Sequence, residues 1–126
     1  MEHVHQQLDA IIRDLRPGHE AAGLAELYTL LGRTHTQAAM QLVDRGVACL
    51  ASRGTRHLFR VGASSAGGPD VCFCMLPGRF CSACAQTVGG APCVHVTAAL
   101  VAAALARCTV EVLDSAEMAM ALFSVT

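Results

Sequence analysis

Four residues in the second half of the chain are of the types that bind transition metals: Cys81, Cys84, Cys93 and His95. Their spacing is C-x2-C-x8-C-x-H, so three thiols and one imidazole fall within fifteen residues. Tetrahedral zinc is bound by sets of this kind, with sulfur at about 2.3 Å and imidazole nitrogen at about 2.0–2.1 Å. The pattern predicts a structural zinc site, because protein ligands fill all four positions and leave none for a catalytic water.

A second cysteine pair offers a different first half for the same site. Cys72 and Cys74 form a C-x-C pair, and eighteen residues separate Cys74 from Cys93. Residues two apart on a strand face the same side, so these two thiols would also converge. The residues alone therefore leave two choices for the first two ligands, while Cys93 and His95 are common to both.

The spacing of Cys81 and Cys84 is also that of a redox dithiol, which is the enzyme-class alternative. In redox enzymes the pair usually opens a helix, whereas here Gly89, Gly90 and Pro92 follow closely and favour a tight return. We therefore expect a protein that is not an enzyme. The total of seven cysteines is odd and argues against a disulfide framework, so Cys49 and Cys108 are expected to be core thiols.

Composition and charge restrict the partners. The chain has 126 residues, of which 53% are hydrophobic and 15% charged, so we expect one domain that buries part of its apolar surface against a partner. The net charge is −1 and all nine basic residues are Arg, which argues against a chain that holds nucleic acid alone. Four of these arginines lie around the predicted hairpin and the predicted metal-binding segment: Arg53, Arg56, Arg60 and Arg79. They either line a path for phosphate or form an exposed polar face.

No segment of the sequence predicts a membrane or secretory role. The longest apolar run, residues 96–106, is shorter than the roughly 20 residues that a bilayer-spanning helix needs. The first residues show neither a basic region nor an apolar core of a signal peptide. We expect an intracellular protein with no membrane contact.

The first half of the chain has the apolar spacing of helices. We predict helices over residues 4–15 and from Glu20 to a stop at Gly32. Thr34 and Gln37 fit a capping box, which predicts a third helix from there to about Arg45.

The pattern then changes to that of strands. Residues 47–51 and 58–61 predict a β-hairpin, and residues 71–76 predict a third strand. An Ala-rich helix is expected from His95 to about residue 107, and its apolar sequence indicates that it is covered on all sides.

The C-terminal segment is less distinctive. Residues 109–113 fit a strand or a linker, and Asp114 or Ser115 is expected to cap a last helix through about Phe123. The prediction is a small α+β domain. It has an N-terminal helical region (residues 1–33) and a metal-containing part (34–126) whose knuckle spans about 71–107.

The metal pattern resembles the SWIM zinc finger, whose usual signature is C-x-C, a variable gap, and C-x-H-x-x-A. The segment from Cys93 through His95 to Ala98 matches the second half fully. The first half departs from it, because two residues instead of one separate Cys81 from Cys84. The resemblance implies that Ala98 is a packing residue, because it lies one helical turn from His95 on the same face.

The resemblance extends over roughly residues 24–123, and there it is to the SWIM-domain subunits of Shu complexes. A helix over residues 36–45, a hairpin that ends at residues 61–65 and a cysteine-bearing strand occur in that order. The resemblance implies a nuclear, non-enzymatic Zn²⁺-binding subunit. It implies that the subunit forms a heterodimer with a RecA-like recombinase paralogue and promotes recombinase filament assembly on single-stranded DNA in homologous recombination. The alternatives are a SWIM module that binds DNA or protein in transcription or chromatin, and the thiol redox protein.

Overall fold

A computed structural model describes residues 2–52, 55–62, 72–75, 80–81, 93–114, 116–117 and 119–120. Within these residues the chain forms an α+β domain in which four helices accompany one mixed sheet of five strands. The predicted fold class is therefore confirmed.

The helices and strands alternate in blocks along the chain. The helices are α1 (Glu2–Asp14), α2 (Glu20–Leu31), α3 (Arg33–Arg45) and α4 (Val94–Ala104). The strands are β1 (Val47–Ser52), β2 (Thr55–Val61), β3 (Cys72–Met75), β4 (Phe80–Cys81) and β5 (Cys108–Val112).

The sheet has the order β4-β3-β2-β1-β5. Strands β1 to β4 pair antiparallel with their neighbours in sequence, as a chain of short connections favours. Strand β5 instead lies parallel to β1, because α4 carries the chain from the β4 edge back to the opposite edge of the sheet. The sequence left residues 109–113 as either a strand or a linker, and residues 109–112 are thus part of a strand.

The predicted helices of the first half are confirmed, and one predicted start is wrong. Thr34 does not cap α3, since that helix begins at Arg33 and has Gly32 as its N-cap, without a side-chain capping bond. Gly32 also ends α2, and its φ of +90° is a conformation that glycine adopts without strain. A single glycine therefore separates the two helices and leaves no room for a capping box.

The predicted hairpin and third strand are also confirmed. Ser52 of β1 pairs with Thr55 of β2, and Phe59 of β2 pairs with Cys74 of β3. Strand β4 was not predicted from the sequence, because two residues are too few to show an alternating pattern. The segments that connect β2 to β3 and β3 to β4 lie outside the described residues, apart from residue 62.

The α4 helix lies at the centre of the domain. It contacts α1 and α3 on one side and strands β1 to β4 on the other. Six of its eleven residues are buried, as its apolar sequence predicts: Val96, Thr97, Ala98, Ala99, Val101 and Ala102. Most of these side chains are small, which allows neighbouring elements to pack against the helix on both sides.

The main core joins the helices to one face of the sheet. Leu8 and Leu27 of the N-terminal helices belong to the same cluster as Val61, Cys74 and Val101. A second, smaller cluster lies on the opposite face of the sheet and consists of Ala48, Leu50 and Leu58, with Phe73 and Leu113 packed against it. The two N-terminal helices thus share one core with the rest of the domain.

Candidate metal centre

The start of α4 holds two of the predicted ligands in one short segment. Cys93 is the N-cap residue, with extended backbone angles, and His95 is the second residue of the helix. Both side chains are partly buried. As predicted, Cys93 lies just before a helix and His95 lies in the first turn of that helix.

The thiol of Cys93 lies where a helix favours negative charge. Its Sγ accepts a hydrogen bond from the backbone N–H of Val96 at 3.4 Å. The unpaired N–H groups of a helix N-terminus stabilise an anion, and a metal-bound cysteine is a thiolate. The local structure therefore suits Cys93 in the form that binds zinc.

A short antiparallel ladder brings a further cysteine position to the same helix. Cys81 of β4 is the register partner of Cys74 on β3, and α4 contacts both strands. Cys74 is fully buried, and Cys93 packs against the core cluster that contains it. The fold therefore places the two strands that carry Cys74 and Cys81 against α4, the helix that Cys93 caps.

The four-ligand set is only partly within the described residues. Cys84 lies outside them, and of Cys81 the structure describes the backbone. Among the side chains that the structure does describe, no three of metal-binding type form a cluster. The choice between Cys81 with Cys84 and Cys72 with Cys74 as the first pair therefore stays a prediction, as does the zinc itself.

The cysteines with described side chains are not in disulfides. They are Cys49, Cys74, Cys93 and Cys108. Cys49 is buried and Cys108 partly buried on the sheet.

A hydrogen-bonded chain that sequence reasoning missed reaches the start of α4 from α3. His35 Nε2 lies 2.9 Å from Thr97 Oγ1, and Thr97 Oγ1 donates to the carbonyl of Cys93 at 3.0 Å. Thr97 is fully buried, and burial lowers the pKa of the His35 imidazole. The sequence carries no signal for this contact, because sixty-two positions separate the two side chains.

Of the four arginines around the predicted hairpin, Arg60 is the one whose side chain the structure describes. Arg60 makes a two-pronged ion pair with Glu111 of β5, across the intervening strand β1. This pairing covers part of the second sheet face and leaves less of the guanidinium for phosphate. Arg53, Arg79 and the side chain of Arg56 lie outside the described residues.

The residues at the start of α4 fit a zinc ion by their chemistry. A partly buried thiol at a helix N-cap and an imidazole two residues later supply one soft and one borderline ligand, as zinc prefers. Ala98 is fully buried on the same helix. If zinc binds, Cys93 and His95 hold it from α4, and its charge supplies the attraction that fixes the helix to the β3–β4 ladder.

Comparisons with known proteins identify no relative. No protein-family model, no curated protein and no solved structure matched the chain. A search of the described residues found no helix with the length and apolar character to cross a membrane.

Proposed function

We propose that this chain is a non-enzymatic subunit in which zinc holds the start of α4 against the β3–β4 ladder. The observation that carries the proposal is that Cys93 and His95 lie at the start of α4, a helix that contacts the strand bearing Cys81. The proposed ligands are Cys81, Cys84, Cys93 and His95. A metal at this junction fixes the central helix, and with it the two layers that pack on that helix.

The proposed biological role follows from the resemblance to Shu-complex SWIM subunits. In that role the chain pairs with a RecA-like recombinase paralogue in the nucleus, and the pair promotes recombinase filament assembly on single-stranded DNA. The net charge of −1 supports a complex in which the partner, and not this chain, makes most of the phosphate contacts.

The outer edge of β5 is the surface that best suits the protein partner. Among the described residues no strand pairs with this edge. The N–H of Leu113 donates to Ala51 of β1, so by alternation the backbone groups of Val110 and Val112 point away from the sheet. These two valine side chains are 55% and 81% exposed. An exposed apolar edge of this kind accepts an extended segment of a partner as an added strand.

The charge on this edge does not oppose such docking. Proteins usually protect an exposed strand with Lys, Pro or an unpaired charge. Strand β5 has neither Lys nor Pro, and its one charged residue, Glu111, is paired with Arg60. Among the described residues, strand β5 therefore carries no Lys, Pro or unpaired charge at this edge.

Affinity purification of the tagged full chain from its source cells tests this function. We expect a RecA-like paralogue at equal stoichiometry, identified by mass spectrometry, and its loss when Val112 is replaced by Lys. The matched control is Thr109→Lys, which places the same charge on the same strand at a position whose backbone faces β1. An unrelated enzyme complex in place of the paralogue would refute the recombination role. Binding of single-stranded DNA by the isolated chain with a steep salt dependence would favour a direct nucleic-acid module.

A further inference from the structure

We propose that His35 and Thr97 are positioning residues for the metal ligands at the start of α4. The inference rests on the proposed zinc site and assigns to it a support that lies outside the ligand motif. His35 belongs to α3, more than forty residues before the first proposed ligand, so the support comes from a different layer of the fold.

The directions of the hydrogen bonds follow from the number of available protons. A threonine hydroxyl has one proton, and in this chain it is donated to the carbonyl of Cys93 at 3.0 Å. The contact of 2.9 Å with His35 therefore has the ring Nε2–H as donor and Thr97 Oγ1 as acceptor. The arrangement fixes one tautomer of a partly buried imidazole.

The acceptor at the end of this chain belongs to a proposed ligand residue. The Cys93 carbonyl receives both the hydroxyl of Thr97 and its backbone N–H, each at 3.0 Å. Two donors from one buried residue restrict the peptide group that follows Cys93, and that peptide group sets the direction of the Cys93 side chain. His95 lies between the two anchored positions and is restrained with them.

The hydrogen bond from His35 joins α3 to α4, so the start of α4 is held by a second helix and not by contacts within α4 alone. Thr97 Oγ1 would bond to the carbonyl four residues earlier in many helices. Here the His35 ring holds the hydroxyl oxygen from the other side, and α3 packs along α4. A shift of α3 relative to α4 would therefore change the geometry of the ligand segment.

Zinc affinity of the purified full-length chain tests this inference, with zinc itself as the probe and a chromophoric chelator as competitor. Loss of an outer hydrogen bond at a zinc site typically weakens metal affinity by about 10- to 100-fold. We expect Thr97→Val to weaken zinc affinity by about tenfold and Thr97→Ser, which keeps the hydroxyl, to retain it. His35→Ala should weaken it in the same direction, and His35→Gln, whose amide N–H can donate to Thr97, should restore it.

A second buried threonine, whose side-chain hydrogen bond goes to α2, provides the matched control. Thr36 is 1% exposed, and its hydroxyl donates to the carbonyl of Leu27 at 3.2 Å. Thr36→Val therefore removes a comparable buried hydrogen bond and should lower stability without a change in zinc affinity. The absorption spectrum of the cobalt-substituted protein adds a readout of ligand geometry, which should change in Thr97→Val and not in Thr36→Val.

The outcomes separate the two proposals. If the wild type binds one zinc but Thr97→Val and His35→Ala keep affinity within about twofold, the positioning role is refuted and the zinc site stands. If Thr36→Val weakens affinity as much as Thr97→Val, the effect is general stability and the inference also fails. If the wild type binds no zinc, both proposals fall. Should Thr97→Val not fold, the partly exposed His35 variants decide the question.

Discussion

Cys74 on β3 lies directly opposite Cys81 on β4 in antiparallel register. Cys74 belongs to one of the two alternative ligand pairs, and Cys81 belongs to the other. Each pair thus has one member at this point of the sheet. Both positions belong to strands that contact α4, the helix that has Cys93 as its N-cap and His95 in its first turn. For the proposed metal site, the two choices of first ligand pair therefore involve neighbouring strand positions in one and the same fold.

Replacement of each proposed ligand tests the set. We expect Cys81→Ser, Cys84→Ser, Cys93→Ser and His95→Ala each to lower zinc content of the purified chain, because a three-ligand site binds the ion more weakly. The measurement is elemental analysis of protein purified without added chelator. Cys108→Ala is the control and should keep its zinc, since we expect a core thiol there.

Cys74 distinguishes the two ligand choices. It is fully buried, so Cys74→Ala should lower the free energy of unfolding by about 1–2 kcal/mol through lost packing. On our account the variant keeps stoichiometric zinc, because Cys81 and Cys84 supply the first two ligands. Complete loss of zinc in Cys74→Ala, with retention in Cys84→Ser, would assign the site to Cys72 and Cys74.

The pKa of His35 predicts a pH dependence of stability. Burial lowers this pKa in the folded state, so below about pH 6.5 the unfolded chain binds more protons at this residue. Its contribution to stability is therefore present above about pH 6.5 and is lost as the pH falls through the lower, folded value.

Comparison with His35→Gln isolates this contribution, because all other groups titrate in both proteins. Urea unfolding from about pH 7.5 to about pH 5 should show the wild type losing stability relative to the variant as the pH falls. A difference that stays constant, or one that grows in favour of the wild type at low pH, would contradict the buried neutral ring.

The ion pair of Arg60 and Glu111 should couple β2 to β5 across β1. The Arg60 side chain is 19% exposed and that of Glu111 is 39% exposed, so solvent screens part of the attraction. A double-mutant cycle with Arg60→Met and Glu111→Gln should give a coupling of about 0.5–1 kcal/mol in urea unfolding, and less in high salt. A coupling near zero at low salt would show that the pair does not join the two strands energetically.

The exposed valines of β5 should affect the partner and not the fold. Val110→Thr and Val112→Thr keep a β-branched side chain and should change the free energy of unfolding by no more than about 0.5 kcal/mol. The double variant should bind the RecA-like partner at least about tenfold more weakly, because it loses apolar contact area. Unchanged binding in calorimetry would place the partner on another surface.

Regular elements with several residues on one face were predictable from the sequence. The apolar spacing of α1 and the hairpin of β1 and β2 were sufficient to place them. The capping bonds expected of Asp114 are present, since Asp114 and Glu117 exchange side-chain hydrogen bonds with each other's backbone N–H groups. The predicted end of that last helix at about Phe123 lies outside the described residues. Local patterns of this kind depend on neighbours in sequence, which is why they can be recognised without a structure.

Features that depend on distant contacts were not predictable. Strand β4 exists through its pairing with β3, and β5 is a strand through its parallel pairing with β1. Thr34 has the sequence of an N-cap, but Gly32 between two packed helices takes that place. His35 and Arg60 have no local pattern at all, and their partners are set by the tertiary packing of α3 on α4 and of β5 on β1.

Zinc stoichiometry measured together with folding tests the central claim most directly. Native mass spectrometry of the purified full-length chain should show one zinc per molecule. Removal of the metal with a strong chelator should lower the unfolding temperature and release the partner, and added zinc should restore both. A chain that is purified without metal, unfolds at the same temperature after chelation and still binds its partner would contradict the account.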